Sequence, residues 1–170
     1  MMNCTINEKR MPCENLAEYT TYEDRLYSIF AREYENLPQY DGFNVAMKHF
    51  PPTYDEKSGF YHLICENYQH TGNEEDRKPN FDRAEKILWP KFILKECIPI
   101  LCDDIKIWEN RRHGKINILI FCTKVNYLIV LSKRRDYLLL ITAYPVEHEH
   151  RKVSLLKEYE AYKKQTSPLN

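Results

Sequence analysis

Residues 105–146 read IKIWENRRHGKINILIFCTKVNYLIVLSKRRDYLLLITAYPV, and this stretch decides the fold. Four short apolar runs alternate with polar, charged segments, a pattern typical of adjacent antiparallel strands joined by turns. The turns are expected near residues 111–114, 124–126 and 133–136. The runs at 128–131 and 138–141 are apolar at every position, so we expect helices to cover at least part of each sheet face.

Helical and extended patterns surround this meander. Helices are predicted over residues 22–37, 44–50, 81–96 and 149–164, a strand over residues 59–65 and a loop over residues 66–80. Pro90 must kink the third helix or divide it at Trp89, because proline cannot donate the helical hydrogen bond. In the last helix, the side chains expected to face the core are Leu155, Leu156, Tyr159 and Tyr162, whereas Glu158 is expected to face solvent.

These elements predict an α+β fold. N-terminal helices would pack on a four- to five-stranded, mostly antiparallel sheet that also carries a C-terminal helix. The chain of 170 residues is long enough for one domain, which is expected over residues 21–165. Residues 1–20 would form an N-terminal arm and residues 166–170 a C-terminal tail.

Charge and cysteine usage narrow the function classes. The chain has 25 basic and 25 acidic residues, so only local clusters could favour nucleic acid. Its six cysteines form no C-x-x-C pair, and four lie in apolar stretches, which is typical of a reduced, cytosolic protein. No run approaches the roughly 18 apolar residues of a membrane span, and the N-terminus has no signal core.

No cofactor or metal is expected. Neither a phosphate-binding G-x-x-x-x-G-K-[ST] loop nor a G-x-G-x-x-G motif occurs, and the chain has only four glycines. His148-Glu-His150 is the tightest histidine cluster. It falls at a strand-to-helix junction, where charged residues are common, and solvated surface is a better interpretation than a metal site.

His62 is the first candidate for chemistry, because it lies within the apolar run FYHLIC at 60–65. A histidine in such a run is either a hydrogen-bonded structural residue or a general acid or base. His70 follows eight residues later in the polar loop and could approach the same site.

Two basic turns are the second candidate. The residues concerned are Arg111, Arg112 and His113 in the first turn, and Lys133, Arg134 and Arg135 in the third. Alternate turns of a meander lie at the same end of the sheet, and guanidinium groups bind phosphate in bidentate fashion. Thr142 and Tyr144 alternate along the last strand, so they share one face. Solubility and strand punctuation explain the same residues without any ligand.

The ordered blocks resemble the phage-associated branch of the barnase–EndoU–colicin–RelE (BECR) superfamily of metal-independent ribonucleases. The blocks are FYHLIC (60–65), NEEDRKPNFDR (73–83) with ILWPK (87–91), IKIWENRR (105–112), NYLIVLSKRRDYLLLITAYPV (126–146) and LLKEYEAY (155–162). They span about the last three-fifths of the chain. The resemblance implies a helical cap on a curved antiparallel sheet, with the active site on the concave face.

By this resemblance, His62 would be the base or acid, with His70 or His113 as a second histidine. Arg112, Lys133 or Arg134 would stabilise the phosphorane, and Thr142 and Tyr144 would position the scissile phosphate. The ribose 2′-hydroxyl would attack the adjacent phosphate and leave a 2′,3′-cyclic end. The partner would be RNA, contacted by Arg111, Arg112, His113 and Arg135. A toxin of this type would also meet an inhibitor or immunity protein.

Two alternatives stay open at this point. The chain could be a non-catalytic interaction protein that retains the fold, with His62 as a structural residue. It could also be an RNA-binding module whose basic turns bind without cleavage, which a steep salt dependence of binding would reveal.

Overall fold

The predicted meander forms the centre of the fold. The computed structural model describes residues 5–48, 57–69, 71–73, 76–100 and 102–166. The meander strands are β4 (Ile105–Arg112), β5 (Lys115–Cys122), β6 (Tyr127–Lys133) and β7 (Tyr137–Pro145). Each pairs antiparallel with the next, in the register expected from turns at the predicted places. The α+β class and the mostly antiparallel sheet are therefore confirmed.

A fifth strand, β1 (Asn44–Met47), joins the sheet parallel to β7, in the order β1-β7-β6-β5-β4. The helix predicted over 44–50 is wrong for these four residues, and residues 49–50 lie outside the described ones. Val45 and Met47 are buried, whereas Asn44 and Ala46 are exposed. This period of two is the alternation of a strand, and the edge of β7 supplies the hydrogen-bonding partner.

The run at 59–65 is also not the predicted strand. It forms a helix, α2 (Ser58–Ile64), which follows the longer α1 (Tyr19–Tyr34) in the chain. Phe60, Leu63 and Ile64 are fully or almost fully buried, and this i, i+3, i+4 spacing is that of one helix face. Aromatic and β-branched composition indicated a strand, but burial follows the helical period.

Two short strands pair antiparallel near the two ends of the segment predicted to be a loop, and we call this pair the hairpin. Its strands are β2 (Cys65–Glu66) and β3 (Lys78–Pro79). The third helical region then divides as predicted. After α3 (Phe81–Ala84), a new helix α4 (Trp89–Phe92) starts at Trp89 with Pro90 in its first turn, and one π-helical turn (Ile93–Cys97) continues it.

The two faces of the sheet pack against different layers. We call the side that carries Ile120 and Leu140 the core face, since α1, α2 and the helices after β3 cover it. The opposite side, which carries Trp108 and Leu128, is the α5 face, because α5 (Glu149–Thr166) packs there through Leu155. Both faces of β5 and β6 are therefore largely buried, as the apolar run at 128–131 predicted. In β7, which contains the run at 138–141, the core face is buried, whereas the α5 face is only partly covered.

Two predictions about α5 are wrong. Leu156 is 38% exposed rather than buried, because the helix turns it away from the sheet. Glu158 does not face open solvent, since its carboxylate accepts a 2.5 Å hydrogen bond from the Asn110 amide on β4. In the described residues, no helix is both long and apolar enough to cross a membrane.

Candidate functional site

The first and third turns of the meander lie at the same end of the sheet, as the topology requires. Their basic side chains nevertheless divide between the two faces. Lys133 lies on the core face, where its amine forms an ion pair with Glu109 of β4. The Arg134 guanidinium turns toward the α5 face and donates a 2.7 Å hydrogen bond to the Ser132 hydroxyl.

The first turn is exposed on both faces. Arg111 and His113 are exposed, and the Arg112 guanidinium lies 4.0 Å from the Glu158 carboxylate. Arg135 is exposed in the third turn. These side chains are accessible to a ligand. They all lie at the same end of the sheet, next to the first and third turns.

Thr142 and Tyr144 lie on the α5 face, as alternation predicted. Thr142 is opposite Val130, and Tyr144 is opposite Leu128, near the start of β6. About seven residues of β7 separate Tyr144 from the third turn, which is roughly 20 Å along a strand. The structure therefore separates the basic turns from the two hydroxyls, which the sequence interpretation placed in one site.

His62 lies on α2, in the layer that covers the core face. Its side chain is half-buried, and its backbone carbonyl accepts a 3.0 Å hydrogen bond from the Arg77 guanidinium. It does not line the cleft that surrounds Tyr144. His70 lies outside the described residues. The catalytic roles of His62 and His70 stay predictions.

A small cleft of about 90 Å³ surrounds Tyr144, where β7 extends past the end of β1. Its lining comes from the hairpin, α3, the end of β7 and the start of α5: Glu66, Asn80, Arg83, Tyr144, Pro145, Val146, Glu147, His148 and Arg151. Small-molecule sites usually measure about 300–1,000 Å³. The cleft therefore suits one group of a larger ligand, such as a single phosphate of a polymer.

Arg83 is the most firmly held cation of the cleft. Its guanidinium lies over the Tyr144 ring, 5.1 Å from the centroid, and the side chain is only 12% exposed. The same group lies 3.8 Å from the Glu66 carboxylate and donates to the Cys65 carbonyl at 3.4 Å. These contacts orient the guanidinium beside the phenol.

Asn80 builds this corner through three hydrogen bonds. Its side-chain oxygen accepts a 2.9 Å hydrogen bond from the Arg83 amide and so caps α3. Its side-chain nitrogen donates a 2.8 Å bond to the Glu66 carboxylate. Its own amide donates to the Ile64 carbonyl, which fixes the hairpin against the end of α2. The carboxylate and the guanidinium are thus positioned by one short segment.

The beginning of α5 closes the other side. His148 precedes the helix, and its carbonyl accepts hydrogen bonds from the amides of Arg151 and Lys152. The imidazole stacks on His150, with ring centroids 5.4 Å apart, but only His148 lines the cleft. Arg151 stands in the first helical turn, where the helix dipole also favours an anion.

Sequence reasoning did not identify Glu66, Asn80, Arg83 or Arg151, and it considered His148 only as a metal ligand. Asn80 and Arg83 occur in the block at 73–83, so the resemblance contained a signal for them. Their position depends on the hairpin that brings α3 to the free edge of β7, and this hairpin lies in a segment predicted to be a loop.

A second cavity of about 880 Å³ lies between α1, the first described residues and the helices after β3. Apolar side chains form most of it, including Met11, Ile29, Leu88 and Phe92. Charged side chains lie along it: Lys9, Arg32, Glu33, Lys91, Lys95 and Glu96. It contains none of the residues singled out from the sequence.

Comparison with protein-family models, with curated proteins and with solved structures found no match to this chain. Within the part of the chain that the structure describes, no group of three or more His, Cys, Asp and Glu side chains could hold a metal ion.

Proposed function

We propose that this protein is an endoribonuclease of the BECR type and that the Tyr144 cleft binds the scissile phosphate. The observation that carries the proposal is the Arg83 guanidinium fixed over the Tyr144 ring, in a cleft that also contains Glu66, His148 and Arg151. Cleavage of a phosphodiester by a 2′-hydroxyl is accelerated by a general base, a general acid and cations near the phosphorane. The cleft contains groups of each kind, namely the carboxylates of Glu66 and Glu147, the imidazole of His148 and the guanidinium groups of Arg83 and Arg151.

In this proposal the Glu66 carboxylate accepts the proton of the ribose 2′-hydroxyl as the oxygen attacks phosphorus. Arg83 and Arg151 stabilise the negative charge that develops on the phosphorane. The His148 imidazolium donates a proton to the departing 5′-oxygen. The products are a 2′,3′-cyclic phosphate and a 5′-hydroxyl. Only RNA has the attacking group, so DNA would not be cleaved.

The decisive experiment incubates purified protein with a labelled RNA oligonucleotide and analyses the ends of the products. We expect 2′,3′-cyclic ends, and no cleavage of an oligonucleotide with deoxyribose at the cleaved position. His148→Ala should lower the cleavage rate by about 10²- to 10⁴-fold, the usual contribution of a general acid or base. His150→Ala is the matched control and should cleave within a few-fold of wild type, because His150 does not line the cleft.

His62→Ala separates the two assignments of the acid–base role. The resemblance gives this role to His62, whereas our proposal gives it to Glu66 and His148. A rate loss in His62→Ala as large as that expected for His148→Ala, with normal cleavage by His148→Ala, would return the role to His62. RNA that stays intact with wild-type protein would contradict the ribonuclease proposal itself.

We propose the cytosol as the location, since RNA and reduced thiols occur together there.

A second candidate function rests on the 880 Å³ cavity, whose apolar lining would accept an apolar segment of another protein. Four cations and two carboxylates along it favour an acidic partner, such as an inhibitor or immunity protein. For a pure interaction protein, neither RNA cleavage nor an effect of His148→Ala on RNA is expected.

A further inference from the structure

The α5 face is not covered evenly. Over β5 and β6 its residues Leu119, Phe121 and Leu128 are at most 3% exposed. Along β7 the side chains of the same face, Tyr137, Leu139, Thr142 and Tyr144, are exposed or half-buried. The core-face residues of β7, by contrast, are buried. Since α5 packs over β4, it leaves an accessible strip along β7, which we call the β7 strip.

The β7 strip begins at a cation. Arg134 turns toward this face, since its guanidinium bonds to the Ser132 hydroxyl, and Ser132 pairs directly with Leu139 of the strip. Arg135 is exposed in the same turn, and Asp136 is the acidic residue there. Tyr137 follows, with 36% of its surface exposed.

The β7 strip ends at the Tyr144 cleft, which Arg83 and Arg151 line together with the carboxylates of Glu66 and Glu147. An aromatic ring therefore lies near each end of a track of roughly 20 Å. Arginines and aromatic rings along a groove are the features with which proteins bind single-stranded nucleic acid, since the cations neutralise phosphates and the rings stack on unpaired bases. The bases of a duplex are not accessible to such rings.

We propose that the β7 strip binds single-stranded RNA, with Arg134 and Arg135 as a phosphate anchor and Tyr137 as a base-stacking platform. That the bound RNA runs toward the Tyr144 cleft rests on the proposed ribonuclease function, whereas the binding of RNA to the β7 strip does not. The anchor lies far from the cleft, so an oligonucleotide of two or three residues would reach only one end. Substrate affinity should therefore depend on length.

Binding is measured by fluorescence anisotropy with 2′-O-methyl RNA, which lacks the attacking hydroxyl and cannot be cleaved by this chemistry. A single-stranded 9-mer should bind at least ten-fold more tightly than a 3-mer and than a 9-base-pair duplex. Tyr137→Ala should weaken 9-mer binding by about 5-fold or more, as loss of one stacked base predicts. Tyr137→Phe keeps the ring and should bind like wild type.

Arg134→Ala has a matched control in Arg25→Ala. Arg25 is an exposed arginine of α1, which covers the core face and therefore lies on the other side of the sheet from the β7 strip. Arg134→Ala should weaken 9-mer binding and lower the slope of log affinity against log salt by about 0.7, the value for one phosphate of a single strand. Arg25→Ala should leave both unchanged.

The outcomes distinguish this proposal from the ribonuclease proposal. Equal affinity for the 3-mer and the 9-mer, preference for the duplex, or equal effects of Arg25→Ala and Arg134→Ala would overturn the proposal that the β7 strip binds RNA, even if the protein cleaves RNA. Length-dependent binding that needs Arg134 and Tyr137 would support the proposal that the β7 strip binds RNA, even if the protein cleaves no RNA.

Discussion

Among single residues, the buried tyrosines have the clearest physical consequence. Tyr34 is enclosed in the core, and its hydroxyl donates a 2.6 Å hydrogen bond to the Ile87 carbonyl. Burial raises the pKa of Tyr34 well above its usual value of about 10, and the neighbouring Tyr127 phenol adds to the increase. Burial also raises the pKa of Tyr127 itself.

We expect the protein to lose stability in alkali through these groups. In the unfolded chain the phenol ionises near pH 10, whereas in the folded chain it stays protonated. The stabilisation is therefore fully present below about pH 10 and is lost as the pH rises toward the folded-state pKa. Each such tyrosine lowers the free energy of unfolding by up to about 1.4 kcal/mol per pH unit in this window.

Urea unfolding between pH 8 and 11.5 tests this expectation. Tyr34→Phe should have a shallower loss of stability above pH 10 than wild type. At pH 8 it should be less stable by about 1–3 kcal/mol, because the buried Ile87 carbonyl loses its donor. Tyr68→Phe changes a 54% exposed ring and should leave the pH dependence as it is. An unaltered slope in Tyr34→Phe would contradict the assignment.

Residue positions that depend on local periodicity could be predicted from the sequence. Thr142 and Tyr144 share a face because strands alternate, and the bulge near Val130 and Leu131 comes before both of them in the register. Arg83 could not be placed in this way, since its contact with Tyr144 joins segments 61 positions apart. Such a contact depends on how α3 packs, which no local pattern contains.

Among the elements, α5 contains two neighbouring leucines that differ in burial. Leu155 is fully buried against the α5 face, whereas Leu156 is 38% exposed. Leu155→Ala should therefore lower the free energy of unfolding by about 2–5 kcal/mol. Leu156→Ala should change it by no more than about 0.5 kcal/mol. Urea denaturation measures both, and similar losses would mean that α5 packs in a different rotation.

The β4–β5 hairpin makes a second prediction. His113 and Gly114 both have positive φ, +51° and +71°, as a two-residue type I′ turn requires. A Cβ at Gly114 would meet no atom within 4 Å, so Gly114→Ala tests the backbone alone. We expect a loss of about 1 kcal/mol in unfolding free energy. His113→Asn should be neutral or slightly stabilising, since asparagine tolerates this conformation better.

The type of an element was predicted correctly where the period of its apolar residues agreed with the turn and helix-breaking residues on either side. The meander, its turns, the division at Trp89 and the terminal helices are all present. Residues 44–47 and 59–64 were assigned the wrong type because both runs are short and apolar, and a short apolar run fits either structure. The first became a strand because β7 offers an edge, and the second became a helix because one side faces the core.

At the scale of the whole molecule, one sheet separates two hydrophobic layers. Ile118 and Ile120 of β5 belong to the core-face cluster, whereas Leu119 and Phe121 belong to the α5-face cluster. Because the same strands supply both layers, unfolding of the sheet exposes both. We therefore expect the two layers to unfold in a single cooperative transition, as small domains usually do.

The two tryptophans of the chain test this expectation, because each reports one layer. Trp89 belongs to the core-face cluster and contacts Tyr127, whereas Trp108 belongs to the α5-face cluster and contacts Tyr159. Trp89→Phe and Trp108→Phe each leave one fluorescent probe. In each variant, the urea midpoint from tryptophan fluorescence should coincide with that from far-ultraviolet circular dichroism.

If the Trp108 signal changes at lower urea than the dichroism, α5 separates from the sheet before the core unfolds. Arg151, which α5 contributes to the cleft at the end of the β7 strip, would then move away with α5, and the length-dependent affinity for RNA should weaken over the same range of urea.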